Sequence, residues 1–212
     1  MGSSVRSILL QQFNGYLSTG GSNRYYIKDL TWQVKQGEHW VLLGGNGAGK
    51  SALGATLIGE AKQQSGQRHS TFNNLQLVSS DLQKQLLSAN HKSDKPQKVT
   101  DILFSAPEIN NDLCQQLITA LNFDALLNRN FTDLSTGETR KLLLIKALSA
   151  NSDLVVLDEP FDGLDTESTR QLNRLLKQLS THTCFVFVLN RVDEIPAFVD
   201  HFAYVSKGLL QH

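Results

Sequence analysis

The chain has 212 residues, with 20 Lys+Arg against 20 Asp+Glu and 40% hydrophobic residues. That length supports one sizeable core with room for a small subdomain. The balanced charge lacks the basic excess of a general nucleic-acid binder, so no nucleic-acid partner is expected. No stretch approaches the roughly 20 apolar residues that span a bilayer, and the apolar run at 8–10 is too short for the core of a signal peptide. Cys114 and Cys184 lie far apart without metal-like spacing, and as free thiols they fit a reducing cytoplasm. The histidines at 39, 69, 91, 182, 201 and 212 show no ligand spacing either. The expected location is cytoplasmic, with any association with the membrane's cytoplasmic face made through a partner.

In chain order, residues 7–13 and 25–34 read as strands separated by a turn-rich segment at 17–23. Gln36-Gly37 turns the chain into an apolar strand, 39–43. Lys50–Ile58 reads as a helix stopped by Gly59, and Leu75–Val78 as a short strand. The polar stretch 88–98 is a loop or a solvated helix end, and the best candidate for a subdomain boundary. Apolar Leu113, Leu117, Ile118 and Leu121 fall at helical spacing within 112–121. Residues 138–150 form another helix. The continuous apolar runs 155–157 and 185–189 suit strands buried on both faces of a parallel sheet, with Thr166–Leu179 as the helix between them. This order predicts an α/β sheet, mostly parallel, flanked by helices. Residues from about 81 to 132 carry no strand signal and read as a helical insertion.

The most informative motif is Gly44-Gly45-Asn46-Gly47-Ala48-Gly49-Lys50-Ser51, which fits G-x-x-x-x-G-K-S directly after an apolar strand and before a helix. Its glycines let the backbone curl so that several N–H groups point at phosphates. The helix that follows adds its positive N-terminus. Lys50 is expected to bridge the β- and γ-phosphates of a nucleoside triphosphate, and the Ser51 hydroxyl to ligate Mg²⁺. Downstream, Leu154-Val-Val-Leu-Asp-Glu-Pro160 places two carboxylates at the end of a hydrophobic strand. Asp158 is expected to hold Mg²⁺, and Glu159 to polarise the attacking water as a general base. In Leu134-Ser-Thr-Gly-Glu138, Ser135 and Glu138 are spaced as a capping box that opens a helix, and such an N-terminus is also an anion site.

The ordered segments GGNGAGKS, LSTGETRK, LVVLDEP and FDGLD resemble an ABC-type ATPase nucleotide-binding domain. The resemblance spans nearly the whole chain. It implies a P-loop NTPase fold of ABC type: one ATP-binding domain over 1–212, with an antiparallel β part at the N-terminus and a helical subdomain at roughly 81–150. LSTGE is similar to the family's LSGGQ signature, with Thr136 and Glu138 as departures. The resemblance implies two such domains paired head to tail, each ATP held between one phosphate loop and the other domain's signature. Ser135, Thr136, Gly137 and Glu138 would then face nucleotide held by a partner, and Asp165, in the segment resembling the D-loop, would lie at the seam. The partner would be a second ABC domain, either the C-terminal half of a longer protein or a second copy, with a membrane permease beyond it. LSTGETRK, LDEPFDGLD and VLNRVDEIPAF resemble more narrowly the first half of a two-domain ATP-binding protein associated with molybdate transport. The chain reaches His212 without a second phosphate loop, so the expectation is one half of such a protein.

Three positions depart from the family pattern or are hard to place. Asn190 stands at the switch position, where the family usually has histidine; Asn can hydrogen-bond but cannot carry charge near neutral pH. Gln83, with Gln85 close by, is the candidate for the glutamine that follows the strand 75–78 and reaches Mg²⁺; an exposed helical glutamine is the alternative. Tyr16 is the best fit for the aromatic that stacks on adenine, with Tyr25 and Tyr26 as rivals. Arg140-Lys141 reads as a solvated helix face, with support of a partner's nucleotide as the alternative. Two functions follow: an ATP-hydrolysing motor domain, which Glu159 favours, or a nucleotide-gated regulatory module with little turnover, which Asn190 favours.

Overall fold

The computed structural model describes residues 5–18, 24–91, 97–105 and 109–211. The turn expected at 17–23 and the polar stretch expected at 88–98 therefore fall partly outside the described residues.

Two sheets organise the described residues. The first is three-stranded and antiparallel, built from β1 (Ser7–Ser18), β2 (Arg24–Lys35) and β4 (Lys62–Ser70) in the order β2-β1-β4. The second has six strands: β3 (Trp40–Leu43), β5 (Leu75–Val78), β6 (Leu154–Asp158), β7 (Cys184–Val188), β8 (His201–Ser206) and β9 (Leu209–Gln211). Their order is β5-β6-β7-β3-β8-β9, parallel throughout except for the β8–β9 pair.

Every residue of β6 and β7 is buried, which is why these strands read as unbroken apolar runs. Alternate side chains feed two separate cores. Val155, Leu157, Phe185 and Phe187 pack toward the helices on one face. Leu154, Val156, Val186 and Val188 pack toward α1 (Lys50–Ile58) and the antiparallel sheet on the other. Gly54 lets α1 lie close to the sheet, since a Cβ there would stand 2.8 Å from Val156 Cγ1. Gly59 ends the helix in the left-handed region, at φ 99°.

The described residues between β5 and β6 are helical: α2 (Ser80–His91), α3 (Val99–Leu103), α4 (Asn111–Ala120), two short 3₁₀ turns and α5 (Thr136–Leu148). One isolated bridge joins Lys98 to Asn130. α6 (Thr166–Leu179) matches its sequence reading to the residue. α5 begins two residues earlier than expected, because Ser135 caps it.

Three strands were not anticipated. β4 reads KQQSGQRHS and is mostly exposed, so its side chains carry no apolar alternation. Its backbone pairs with β1 from Ile8↔Ser70 to Tyr16↔Lys62, and that pairing makes it a strand. β8 and β9 form a hairpin on the edge of the large sheet.

Phe187 is fully buried, with its ring centroid 5.8 Å from that of Phe185 and 5.9 Å from that of Phe198. Phe187→Ala should therefore destabilise the chain by about 3–5 kcal/mol. Urea unfolding should show a lower midpoint at an unchanged m-value.

Candidate functional site

The site is built at the carboxyl edge of the parallel sheet. β3 ends at Leu43, the loop 44–49 turns, and α1 starts at Lys50. Two glycines are fixed by close approach as well as by dihedral. A Cβ on Gly44 (φ 149°) would stand 2.3 Å from the Val205 carbonyl oxygen, and one on Gly49 (φ 104°) 1.9 Å from the Tyr25 hydroxyl. The back of the loop is braced at Ala48, whose carbonyl accepts from the Gly208 N–H at 2.7 Å and from the Tyr25 hydroxyl at 3.5 Å. Gly45, Asn46 and Gly47 form its exposed rim.

The Lys50 side chain is buried, and its ammonium donates to Gly44 O (2.8 Å), Gly45 O (3.2 Å) and Asn190 Oδ1 (2.8 Å). These are neutral oxygens. They satisfy the donors without supplying a countercharge, an arrangement suited to receiving an anion.

Asp158 closes β6 and is 7% exposed. Burial pushes its carboxyl up, against a hydrogen bond with the Ser51 side chain and the charges of Arg140 and Lys50. Glu159 is half-buried. Burial, then the neighbouring carboxylates Asp158 and Glu194, push its carboxyl up, while Lys50 pulls it down. Burial thus disfavours the charged form of two adjacent carboxyls, beside a serine hydroxyl. This hard-oxygen set fits Mg²⁺, whose charge would reverse the local preference.

The expected capping box is present at the start of α5. Ser135 Oγ accepts from the Glu138 N–H at 3.2 Å, and the Glu138 carboxylate accepts from the Ser135 N–H at 2.7 Å. Ser135 and Thr136 are exposed, and a Cβ on Gly137 would meet nothing within 4 Å.

A profile of the ABC transporter family matches residues 27–162, which is more than half of the chain. This chain belongs to the ABC transporter ATPases. It is 38% identical over 201 residues to the ABC transporter ATP-binding protein ModF of Escherichia coli, a match covering 90% of this chain and 41% of that protein. It is 29% identical over 203 residues to the ABC transporter ATP-binding protein YmeB of Lactococcus lactis, covering 86% of this chain and 78% of that protein. A bacterial Atm1-family ABC exporter solved with ATP bound shares the fold, with a TM-score of 0.73 at 15% identity; the match covers all of this chain and 39% of that one. The chain thus spans about two fifths of the length of its ModF relative.

The other residues picked from the sequence of this ABC domain fall in three places. Asp165 caps α6, accepting from the Ser168 N–H and hydroxyl, each at 2.8 Å; these bonds hold its carboxyl low. Gln83 is buried at 3% exposure, not a solvated helical residue, and its side-chain amide donates to Thr136 O at 2.6 Å, tying α2 to the signature. Tyr16 lies in the antiparallel sheet, under the Arg24 guanidinium at 4.4 Å and beside Tyr26. Of its rivals, Tyr25 touches the phosphate loop and Tyr26 is exposed.

One expectation is overturned. Arg140-Lys141 is not a solvated helix face. The Lys141 ammonium donates to Leu121 O at 2.8 Å. Arg140 has a side chain only 12% exposed, and it donates to Glu159 O and to Asp162. The surface reading fails because the turn after β6 covers Arg140 and the end of α4 receives Lys141. The only sequence signal was its place directly after the signature.

The Glu138 carboxyl lies below its ordinary value of 4.5, held down first by the Ser135 N–H. A depressed carboxyl stabilises the fold above the unfolded-state pKa, and that contribution is lost as pH falls through the folded value. Glu138→Gln should thus cost about 0.5 kcal/mol at neutral pH. In urea titrations the difference from the parent should shrink steadily once pH drops below 4.5.

Proposed function

We propose that this chain binds Mg-ATP at the phosphate loop and hydrolyses it as one member of a head-to-tail pair of ABC domains. The observation that carries the reading is the convergence of Lys50, Ser51, Asp158, Glu159 and Asn190 on one sheet edge, where Lys50 bonds Asn190, Asp158 ends β6 opposite Val188, and the Glu159 N–H bonds Val188 O.

In this reading the backbone N–H groups of 44–51 cradle the phosphates and Lys50 exchanges carbonyl partners for phosphate oxygens. Ser51 and Asp158 would hold Mg²⁺, with Gln83 a candidate for reaching it once released from Thr136. When bound, the ion neutralises charge that develops on the phosphates. Glu159, with its raised affinity for a proton, accepts one from the attacking water. Asn190 donates its amide hydrogen to the terminal phosphate or orients the water. Ser135, Thr136, Gly137 and Glu138 present an exposed helix N-terminus to the nucleotide held by a partner, and Asp165 lies at the seam. Tyr16 is the proposed adenine platform, which requires Arg24 to leave its face.

The partner domain is either a second copy or a further domain of a longer protein. No helix among the described residues is long and apolar enough to cross a membrane. A permease subunit at the cytoplasmic face is the proposed membrane partner. Molybdate is proposed as cargo on the narrower sequence resemblance alone.

Asn190 favours a second reading, a nucleotide-gated module that closes on ATP and turns over little. Phosphate release from Mg-ATP across a range of protein concentrations separates the two. Specific activity that rises with concentration supports a hydrolysing pair. Glu159→Gln should lower the rate by about 10²–10⁴-fold while ATP still binds, and light scattering should show a trapped dimer. Tight ATP binding without turnover in the parent chain would select the gated module instead.

A further inference from the structure

We propose that Arg140 is a positioning residue for hydrolysis, holding the backbone of Glu159 in its working conformation and linking it rigidly to the signature helix. The inference rests on the reading of Glu159 as the base.

Glu159 has φ 50°, in the left-handed region that a non-glycine residue rarely occupies. Such a conformation persists only where the surroundings over-determine it. Here both sides of the residue are pinned. Its N–H donates to Val188 O at 2.9 Å, which ties it to β7. Its carbonyl accepts from Arg140 Nη1 at 3.0 Å. The same nitrogen lies 3.4 Å from Asp162 O and 3.0 Å from Asp162 Oδ2, so one guanidinium spans the turn 159–162.

The partition of exposure shows which of these contacts matters. The Arg140 side chain is 12% exposed, whereas that of Asp162 is 76% exposed. An ion pair with so open a carboxylate is weak. The bond to the Glu159 carbonyl is the sheltered one, and it fixes shape. Lysine could supply the charge at this position, but not a donor nitrogen held in a rigid guanidinium plane.

Arg140 stands two residues after Glu138, within the first turns of α5. The helix whose N-terminus offers Ser135 and Gly137 to a partner's nucleotide therefore also anchors this chain's own Glu159. Displacement of one end moves the other.

The test is steady-state hydrolysis by Arg140→Met and Arg140→Lys, with affinity for a slowly hydrolysed ATP analogue and amide hydrogen exchange measured alongside. Arg140→Met should lower kcat by about 10- to 100-fold through misplacement of the base. KM and analogue affinity should stay within about twofold, because only uniform binding moves KM alone. Exchange across 159–163 should quicken. Arg140→Lys should fall between the two, and it carries the test if the Met variant does not fold. In a Glu159→Gln background, loss of Arg140 should have no further effect on rate, since the two act through one group.

An unchanged kcat, or a loss of affinity that matches the loss of rate, would overturn the proposal. If Glu159→Gln is inactive while Arg140→Met keeps the parent kcat, the inference alone fails. If Glu159→Gln hydrolyses normally, the reading of Glu159 as base fails and takes the inference with it.

Discussion

Burial of β6 and β7 on both faces is the constraint on which the other features depend. A strand with apolar neighbours above and below has one register in which its run ends at the sheet edge. That register puts Asp158 opposite Val188 and carries Asn190 to the Lys50 ammonium. Two cores, one on each face, hold the strands in place. The polar groups have little freedom to be elsewhere. They stand where the strands stop, at the edge where open α/β sheets bind ligands.

The electrostatics of that edge are unsettled by design of the packing. A buried ammonium is met by neutral oxygens, and two carboxyls are desolvated side by side. Each group alone prefers water. An anion beside Lys50 and a cation beside Asp158 would relieve both at once. This mutual relief is a physical reason for nucleotide and metal to bind together, and it follows from the burial of these side chains. The left-handed Glu159 adds backbone strain at the same place, where strained residues tend to cluster.

Elements whose side chains face one uniform environment were legible in the sequence. β5, α1 and α6 fall on the predicted residues: α6 writes a one-sided helical period into the chain, and α1 is bracketed by the phosphate loop and Gly59. β4 was not legible. It is held by main-chain bonds to β1, and its exposed side chains are nearly indifferent to that pairing. The same limit hid β8, where buried Ala203 and Val205 alternate with exposed Phe202 and Tyr204, aromatics that read as core. Within the candidate site, the phosphate loop, the carboxylate pair and the capping box each carried a spacing that stands for a geometry. Arg140 carried none, since its partners are carbonyl oxygens that any sequence supplies. Gln83 was singled out, but its bond to Thr136, 53 residues away, is a tertiary fact with no local signature.

The strand order has a consequence for how the site comes into being. β3 leads into the phosphate loop early in the chain, yet both of its neighbours in the sheet, β7 and β8, come from near the far end. Trp40 pairs with Val186 and His201, and Lys50 meets Asn190 across 140 residues. Loop-closure entropy must be overcome before contacts so distant in sequence can reward it. During synthesis the glycine-rich segment leaves the ribosome long before its flanking strands exist. Throughout that interval β3 has two open edges of unpaired amides, and the loop after it lacks the Val205 and Gly208 backbone against which it rests. Nucleotide recognition is thus among the last properties this chain acquires as it folds, although the motif that announces it is among the first to be made.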